Sequence, residues 1–337
     1  MTALARRTAD TDTTADRGGG RGFWHAVGHA FVALLAAAAV AGVYVACVRT
    51  PLGQTVDTMM MRGADVHHAR VVDVLNRALN GTTLASLVLV CVAAAAIGFI
   101  RRRVDLALAA GVLVIGANAS TRLFKNRLPR PNLDDFPAPN SFPSGHTTAA
   151  ASVAFALILV LPFAIRGTVA LIGAAYVTII AVATVWAEWH RPSDTVAALL
   201  VVLAWGAGAS ALVRAYRSRI TGVAARPNRL SMLVFGGIGA LSAVAGLLGI
   251  GAVVLSERAM PDLVSGRFAF VAGIAAIAAA VAAVFAIWVR LAAGDRPLTT
   301  SGPAPDRPAA TPKPRGAATR RPKPRVPAAA RRKPVAR

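Results

Sequence analysis

The sequence predicts an all-α polytopic membrane helix bundle, and three observations predict it. More than half of the residues, 55%, are hydrophobic, and the mean hydropathy is clearly positive. The chain nonetheless carries a formal charge of +22, a combination foreign to a soluble domain but natural for a multi-pass protein with basic cytoplasmic ends. Third, apolar runs near the length of a bilayer crossing recur along the 337 residues.

Eight such runs are expected, near 27–48, 84–100, 104–123, 147–165, 168–189, 195–213, 231–255 and 268–289. The second is short, and Asp105 at the head of the third sits at the interface. Cys47 and Cys91 both fall inside spans, which makes them buried thiols rather than a disulfide, and no metal-ligand spacing accompanies them. The first run is longer than a signal-peptide core and is read as a retained anchor.

Lysine and arginine orient the spans. With the N-terminus in the cytoplasm, 26 of the 37 basic residues fall inside, among them the Arg101–Arg103 triplet and Arg166. Of the eleven outside, five (Arg122, Lys125, Arg127, Arg130 and Arg191) flank two histidine motifs. Cations kept on the unfavoured side point to anion binding there.

The ends are of another character. Residues 1–25 form a polar, Gly-rich cytoplasmic N-terminus expected to be disordered. Residues 294–337 form a basic Pro-rich cytoplasmic tail that repeats PKPR at 312–315 and 322–325. Such a tail cannot bury a core, and its expected partner is the anionic inner leaflet. It has no aromatic residue to stack on bases, so no nucleic-acid partner is expected. The external segment 49–82 reads as a short amphipathic helix on the membrane surface. Its adjacent His67 and His68 point to different faces, and His25 with His29 lacks a third ligand; both pairs are read as interfacial.

Three polar segments fall on one membrane face under this topology: TRLFKNRLPRP at 121–131, PSGH at 143–146 and WHRPSD at 189–194. Phosphoester hydrolysis without a metal needs cations and backbone donors for the phosphate oxygens, a nucleophile with something to orient it, and an acid for the leaving oxygen. Ser144 and Gly145 open a helix whose free amides can cradle an anion. Lys125 and Arg130 supply positive charge. His190 and Asp194 straddle Pro192, so the carboxylate can hold one imidazole nitrogen and leave the other free to attack phosphorus. His146 is then the general acid.

At these residues the chain resembles the type 2 phosphatidic acid phosphatase superfamily, lipid phosphatases related to vanadium-dependent haloperoxidases. Pro143-Ser144-Gly145-His146 stands intact, as does the His-three-residues-Asp half of the third family motif at His190 and Asp194. The resemblance covers roughly 84–213 and implies a six-helix membrane phosphatase core at 26–213; the two additional transmembrane helices expected at 214–293 lie beyond the family's usual six. It implies that His190 is a phosphohistidine nucleophile, Asp194 its orienter and His146 the acid, with Lys125, Arg130, Ser144 and Gly145 holding phosphate. No cofactor and no metal are implied.

Two departures stand out. Seven residues before Arg130, where the family has lysine, the chain has Leu123; Lys125 and Arg122 are the candidates to fill that role, with Lys125 preferred. The Ser-Arg pair expected before His190 is Ala183-Thr184, so one phosphate-binding arginine is missing, with Arg122, Arg127 and Arg191 as substitutes. The expected activity is hydrolysis of a lipid phosphate or diphosphate at the outer face of a bacterial plasma membrane, with a membrane lipid as substrate. An isoprenoid diphosphate is favoured, then phosphatidylglycerol phosphate or phosphatidic acid. The alternative is a weak or inactive member that binds a lipid headgroup or a partner. A transporter is disfavoured by the scarcity of charge at mid-span.

Overall fold

The computed structural model describes residues 24–64, 73, 77, 84–217, 228–260 and 263–293, all within one compact unit, Met1–Leu298. Both tails expected to be disordered lie outside the described residues except for Trp24 and His25, which are already helical; His67 and His68 lie outside them too.

The described residues form helices joined by turns, with no strand among them. In chain order they are α1 (Trp24–Val48), α2 (Pro51–Arg62), α3 (Leu84–Ile100), α4 (Val104–Arg127), α5 (Gly145–Val160), α6 (Phe163–Trp186), α7 (Pro192–Arg217), α8 (Arg229–Ala259) and α9 (Gly266–Ala293). The last turn of α1, Tyr44–Val48, is a π-helix. Six of them, α1, α4, α6, α7, α8 and α9, are long and apolar enough to cross a membrane, and the protein is a multi-pass membrane protein. The other two expected spans, α3 with 17 residues and α5 with 16, are shorter. The fourth expected run ends early because Pro162 stops it, and α6 begins at Phe163 rather than near 168.

Each long helix shows one face to its neighbours and the other outward. On α4 the buried positions are Leu106, Ala109, Ala110, Leu113, Val114, Ala117 and Thr121, a three-and-four spacing that makes one stripe. Leu108, Val112 and Ile115 lie on the opposite face and are exposed, as a lipid-facing surface requires. The short α5 is the central helix, packed on α4, α6 and α7, and most of its residues are buried. Small residues allow this crowding: Gly116 lies against Trp205, and Gly173 against Ala154.

The last two helices differ in how they pack. α8 leans mainly on α9, whereas α9 packs against α2, α6 and α7 as well. Trp288 of α9 stacks on Phe155 of α5 with ring centroids 4.7 Å apart and donates its indole N–H to the Phe155 carbonyl. Buried tryptophan needs such a partner, and here the bond fastens α9 to the centre of the bundle.

Arginines tie the end of the bundle where α6 and α8 start and α5, α7 and α9 finish. The Arg166 guanidinium donates to the carbonyls of Leu159, Leu161 and Ala292, and Arg101 donates to Val160. Arg214 reaches Leu291. These bonds satisfy helix C-terminal carbonyls that have no partner within their own helix. His29 belongs to the same layer: it is buried, with Nδ1 on the His25 carbonyl and Nε2 on the Leu291 carbonyl.

The other end holds α2. The sequence reading makes this segment an amphipathic helix lying on the membrane surface; it instead inserts at the head of the bundle. Gln54, Val56, Asp57, Thr58, Met60 and Met61 are all buried. Its C-cap Gly63 meets the start of α9 so closely that a Cβ there would come within 1.8 Å of the Gly266 carbonyl oxygen. Only glycine permits that approach.

Candidate active site

The loop between α4 and α5, the turn between α6 and α7, and α2 converge at this second end. Asn140 fixes the loop by donating to the carbonyls of Lys125 and Leu128 at 3.1 and 2.9 Å. Gln54 of α2 does the same from above, donating to the carbonyls of Val48 and Pro131 and accepting from Leu133 N–H. Both devices satisfy loop backbone that has no helix to pair with.

Ser144 is the N-cap of α5: its Oγ accepts from Thr147 N–H, and its carbonyl accepts from Thr148. Gly145 and His146 follow as the first helical residues, with amides that have no acceptor inside the helix. A Cβ added at Gly145 would meet nothing within 4 Å, so this helix terminus opens onto space. His146 is half-buried beside it, its ring 5.5 Å from that of Trp189 and 6.3 Å from that of His190.

The other histidine is presented by a turn. α6 ends at Trp186, and Glu188 adopts a left-handed φ of 56° that swings the chain back toward α7. The carbonyl of Thr184 accepts from both Trp189 N–H and His190 N–H, which holds the turn against the helix end. Pro192 then opens α7, where a missing N–H costs nothing. Asp194, in the first turn, accepts from the Arg191 backbone N–H at 3.0 Å, a reciprocal cap.

Asp194 is thus both a structural cap and the hub of the site. It is fully buried and accepts from Ser141 Oγ at 2.6 Å, while its backbone carbonyl accepts from Ser144 N–H at 2.9 Å. Those bonds lock the start of α7 to the start of α5. Its Oδ2 lies 3.5 Å from His190 Nδ1, and its Oδ1 lies 3.6 Å from an Arg130 nitrogen. Asp194 thus stands on the Nδ1 side of the imidazole, and Nε2 is the ring nitrogen that faces away from the carboxylate. The 3.5 Å separation is long for a hydrogen bond, as is common in unliganded sites that tighten on binding.

The expected site residues fall as follows. His190, Asp194, His146, Ser144, Gly145 and Arg130 are brought together. The Arg130 side chain is 2% exposed, and neither of its terminal nitrogens has a hydrogen-bond partner among the described residues. His190 Nδ1, Asp194 Oδ1 and Thr147 Oγ1 share that condition. Lys125 lines a cavity of about 300 Å³ together with His190, Arg191, Ser141, Trp189 and Glu188. Arg122 and Arg127 are exposed and do not line it. Arg191 does, but its guanidinium is engaged: Nε donates to Thr58 at 2.8 Å, and a terminal nitrogen lies 3.4 Å from Asp134. Thr184, where the family arginine is expected, is fully buried and turns its hydroxyl back to the Ala181 carbonyl.

Sequence reasoning missed four polar residues here: Asp57, Thr58, Asp134 and Ser141. Thr58 accepts from Arg191 and donates to Asp134, so that α2, the loop and the histidine turn share one network. The signal for α2 was the adjacent pair Asp57-Thr58 interrupting VDTMMM, a polar step on the apolar side of the helix.

Comparison with curated proteins and with solved structures returns no match. A family model described as PAP2 superfamily matches residues 106–218. That span runs from the first turn of α4 to the end of α7 and carries every expected site residue, so the similarity to the PAP2 superfamily covers about a third of the chain and falls on the candidate site.

Proposed function

We propose that the protein hydrolyses a lipid phosphate or diphosphate through a phosphohistidine at His190. The observation that carries the reading is Arg130: a buried guanidinium with two unpartnered terminal nitrogens beside the His190–Asp194 pair. A buried cation without hydrogen bonds is costly unless an anion completes it, and a phosphoryl group has oxygens spaced for a planar guanidinium.

In the first step His190 Nε2 attacks phosphorus and the bond to the leaving oxygen breaks. His146, on the far side of the phosphoryl group, gives that oxygen its proton. Asp194 holds the Nδ1 proton and stabilises the positive ring that forms. The Gly145 and His146 amides, Arg130 and Lys125 hold the phosphoryl oxygens while charge redistributes over them. In the second step water attacks the phosphohistidine, His146 accepts the water proton, and phosphate leaves with His190 restored.

A lipid substrate is supported by a second, apolar cavity of about 270 Å³ between α1, α4 and α7, lined by Val40, Tyr44, Phe124, Leu128 and Trp205 among others. Tyr44 bonds the Pro129 carbonyl, so this groove adjoins the loop that carries Arg130. An isoprenoid diphosphate is the favoured substrate, ahead of phosphatidylglycerol phosphate and phosphatidic acid. The arginines at the opposite end, Arg101, Arg166 and Arg214, support a site on the extracytoplasmic face of a bacterial plasma membrane with both termini cytoplasmic.

A second reading rests on Thr184: with no arginine there, the protein binds a phosphorylated headgroup without turning it over. Phosphate release from a panel of lipid phosphates by detergent-purified protein, with and without chelator, separates the two. Turnover that His190→Ala abolishes supports the phosphatase; tight binding with no turnover on any lipid favours the binding protein.

A further inference from the structure

One buried carboxylate at this end has no part in the mechanism above. Asp57 of α2 is 2% exposed, and both of its oxygens point at one residue. Oδ1 accepts from the Ser193 backbone N–H at 3.0 Å, and Oδ2 accepts from Ser193 Oγ at 2.5 Å. Ser193 is the second residue of α7 and Asp194 the third. The first amides of a helix need acceptors, and those ordinarily come from the residue that opens the helix. Here the opening residue is Arg191, whose side chain is committed to Thr58 and Asp134. A carboxylate 136 residues away in sequence supplies the cap instead.

A serine or asparagine would cap as well. A carboxylate also sets a second negative charge beside Asp194, in a place sealed from water. We infer that Asp57 is a positioning residue for the His190–Asp194 pair, and that its ionised form defines the pH range in which the site works. The inference rests on the phosphatase reading only for its kinetic test.

The groups that face Asp57 make its charge consequential. From α7 comes Asp194, from the α4–α5 loop Arg130, from the turn before α7 Arg191, and from the last turn of α1 Cys47. Burial, then the Asp194 charge, push the Asp57 carboxyl up to about 7, against the pull of the two Ser193 bonds and Arg130. Arg130 therefore stands within the field of two carboxylates. Protonating Asp57 leaves Asp194 as the carboxylate that Arg130 faces. The Arg130–Asp194 contact tightens, and both the hold on His190 Nδ1 and the reach of Arg130 toward phosphate weaken. Protonated Asp57 also becomes a donor toward Ser193 Oγ, reversing one of the two bonds that set the start of α7.

The test is kcat against pH, between about 5 and 9, for wild type and Asp57→Asn on one lipid phosphate. The substrate phosphate titrates in the same range, so the readout is the difference between the two proteins. Asn keeps an acceptor for Ser193 N–H and the shape of the cap but cannot ionise. Asp57→Asn is expected to lower kcat roughly tenfold at pH 8 and to lose the acid limb near neutrality that wild type shows. A wild-type profile in Asp57→Asn overturns the inference, because a purely structural cap survives that change.

If Asp57→Asn does not fold, Ser193→Ala serves. It removes one donor to the carboxylate and keeps the charge, so the acid limb moves to higher pH; an unmoved limb overturns the inference. If wild type releases no phosphate from any lipid, the phosphatase reading fails by itself. Asp57 is then judged by sulfate binding, whose ligand does not titrate in this range. Wild-type affinity that steps near neutrality and a flat Asp57→Asn profile uphold the inference; identical profiles overturn it.

Discussion

Arg130 and Asp194 meet at 3.6 Å with both side chains out of contact with solvent, and the contact is too long to satisfy either of them fully. Each still has hydrogen-bonding capacity directed at the space beside His190. Arg130→Lys keeps the charge but loses the planar fork, and lipid phosphate turnover is expected to fall at least about tenfold, chiefly through KM. Arg130→Ala should cost on the order of 10²–10³ in kcat/KM and also lower the melting temperature, since it leaves a buried carboxylate without its cation. Equal activity of Arg130→Lys and wild type would remove Arg130 from the phosphate site.

His146 and His190 are told apart by the leaving group. In kcat/KM, which reads phosphoryl transfer to His190 and not the later hydrolysis, His146→Ala should slow an alkyl phosphate by roughly 10²–10⁴ yet barely slow p-nitrophenyl phosphate, whose leaving oxygen needs no proton. His190→Ala should abolish both. Equal losses of kcat/KM on the two substrates in His146→Ala would sink its assignment as the acid.

Restoring an arginine at 184 should not restore a family site. Thr184 is fully buried with its hydroxyl bonded to its own helix, and its carbonyl holds the His190 turn. Thr184→Arg is expected to destabilise by roughly 1–3 kcal/mol and to lower turnover. A rise in turnover at unchanged melting temperature would show that the position faces the phosphate after all.

Asp57 also leaves a mark on stability. Its carboxyl is pushed up to about 7 from 3.8, so the folded state holds this proton more tightly than the unfolded chain does. Its stabilising contribution is full below about pH 4 and is lost as pH rises through 7. Asp57→Asn has nothing to lose in that window. The melting temperature of Asp57→Asn relative to wild type should climb between pH 4 and 7 and level off above, by an amount worth a few kcal/mol at most. A difference that is constant with pH would contradict the burial of an ionisable group there.

Gly63→Ala tests the seam between α2 and α9. The added methyl cannot fit against the Gly266 carbonyl, so α2 must move and take Asp57 and Thr58 with it. Lower thermal stability and lower turnover are expected together; wild-type values for both would mean that the seam yields without cost.

Most of the bundle was legible because lipid imposes a simple rule on sequence: apolar runs of fixed length, stopped by charge or proline. The misplaced boundary at Pro162 came from reading two adjoining apolar runs past the residue that divides them. The motif residues were legible because PSGH and His190-Asp194 keep local spacing that a helix start and a helix break interpret directly. α2 was not legible. Amphipathic periodicity reports that a helix has a buried face but not what buries it, and here the cover is α9, some two hundred positions later in the chain. Thr184 is visible in the sequence as a departure from the family motif, but the network that occupies Arg191 depends on Thr58 and Asp134, which no local pattern joins to it.

The seating of α9 has a consequence for biogenesis. The segment that carries the motif residues, 106–218, is complete in the nascent chain well before Gly266 emerges, yet α2 meets Gly266 and Phe155 its stacked partner only when α9 arrives. A chain built this way is closed last, with its earliest and latest helices meeting over the middle. On the phosphatase reading, turnover would then begin at the close of membrane insertion rather than when the motifs have been translated.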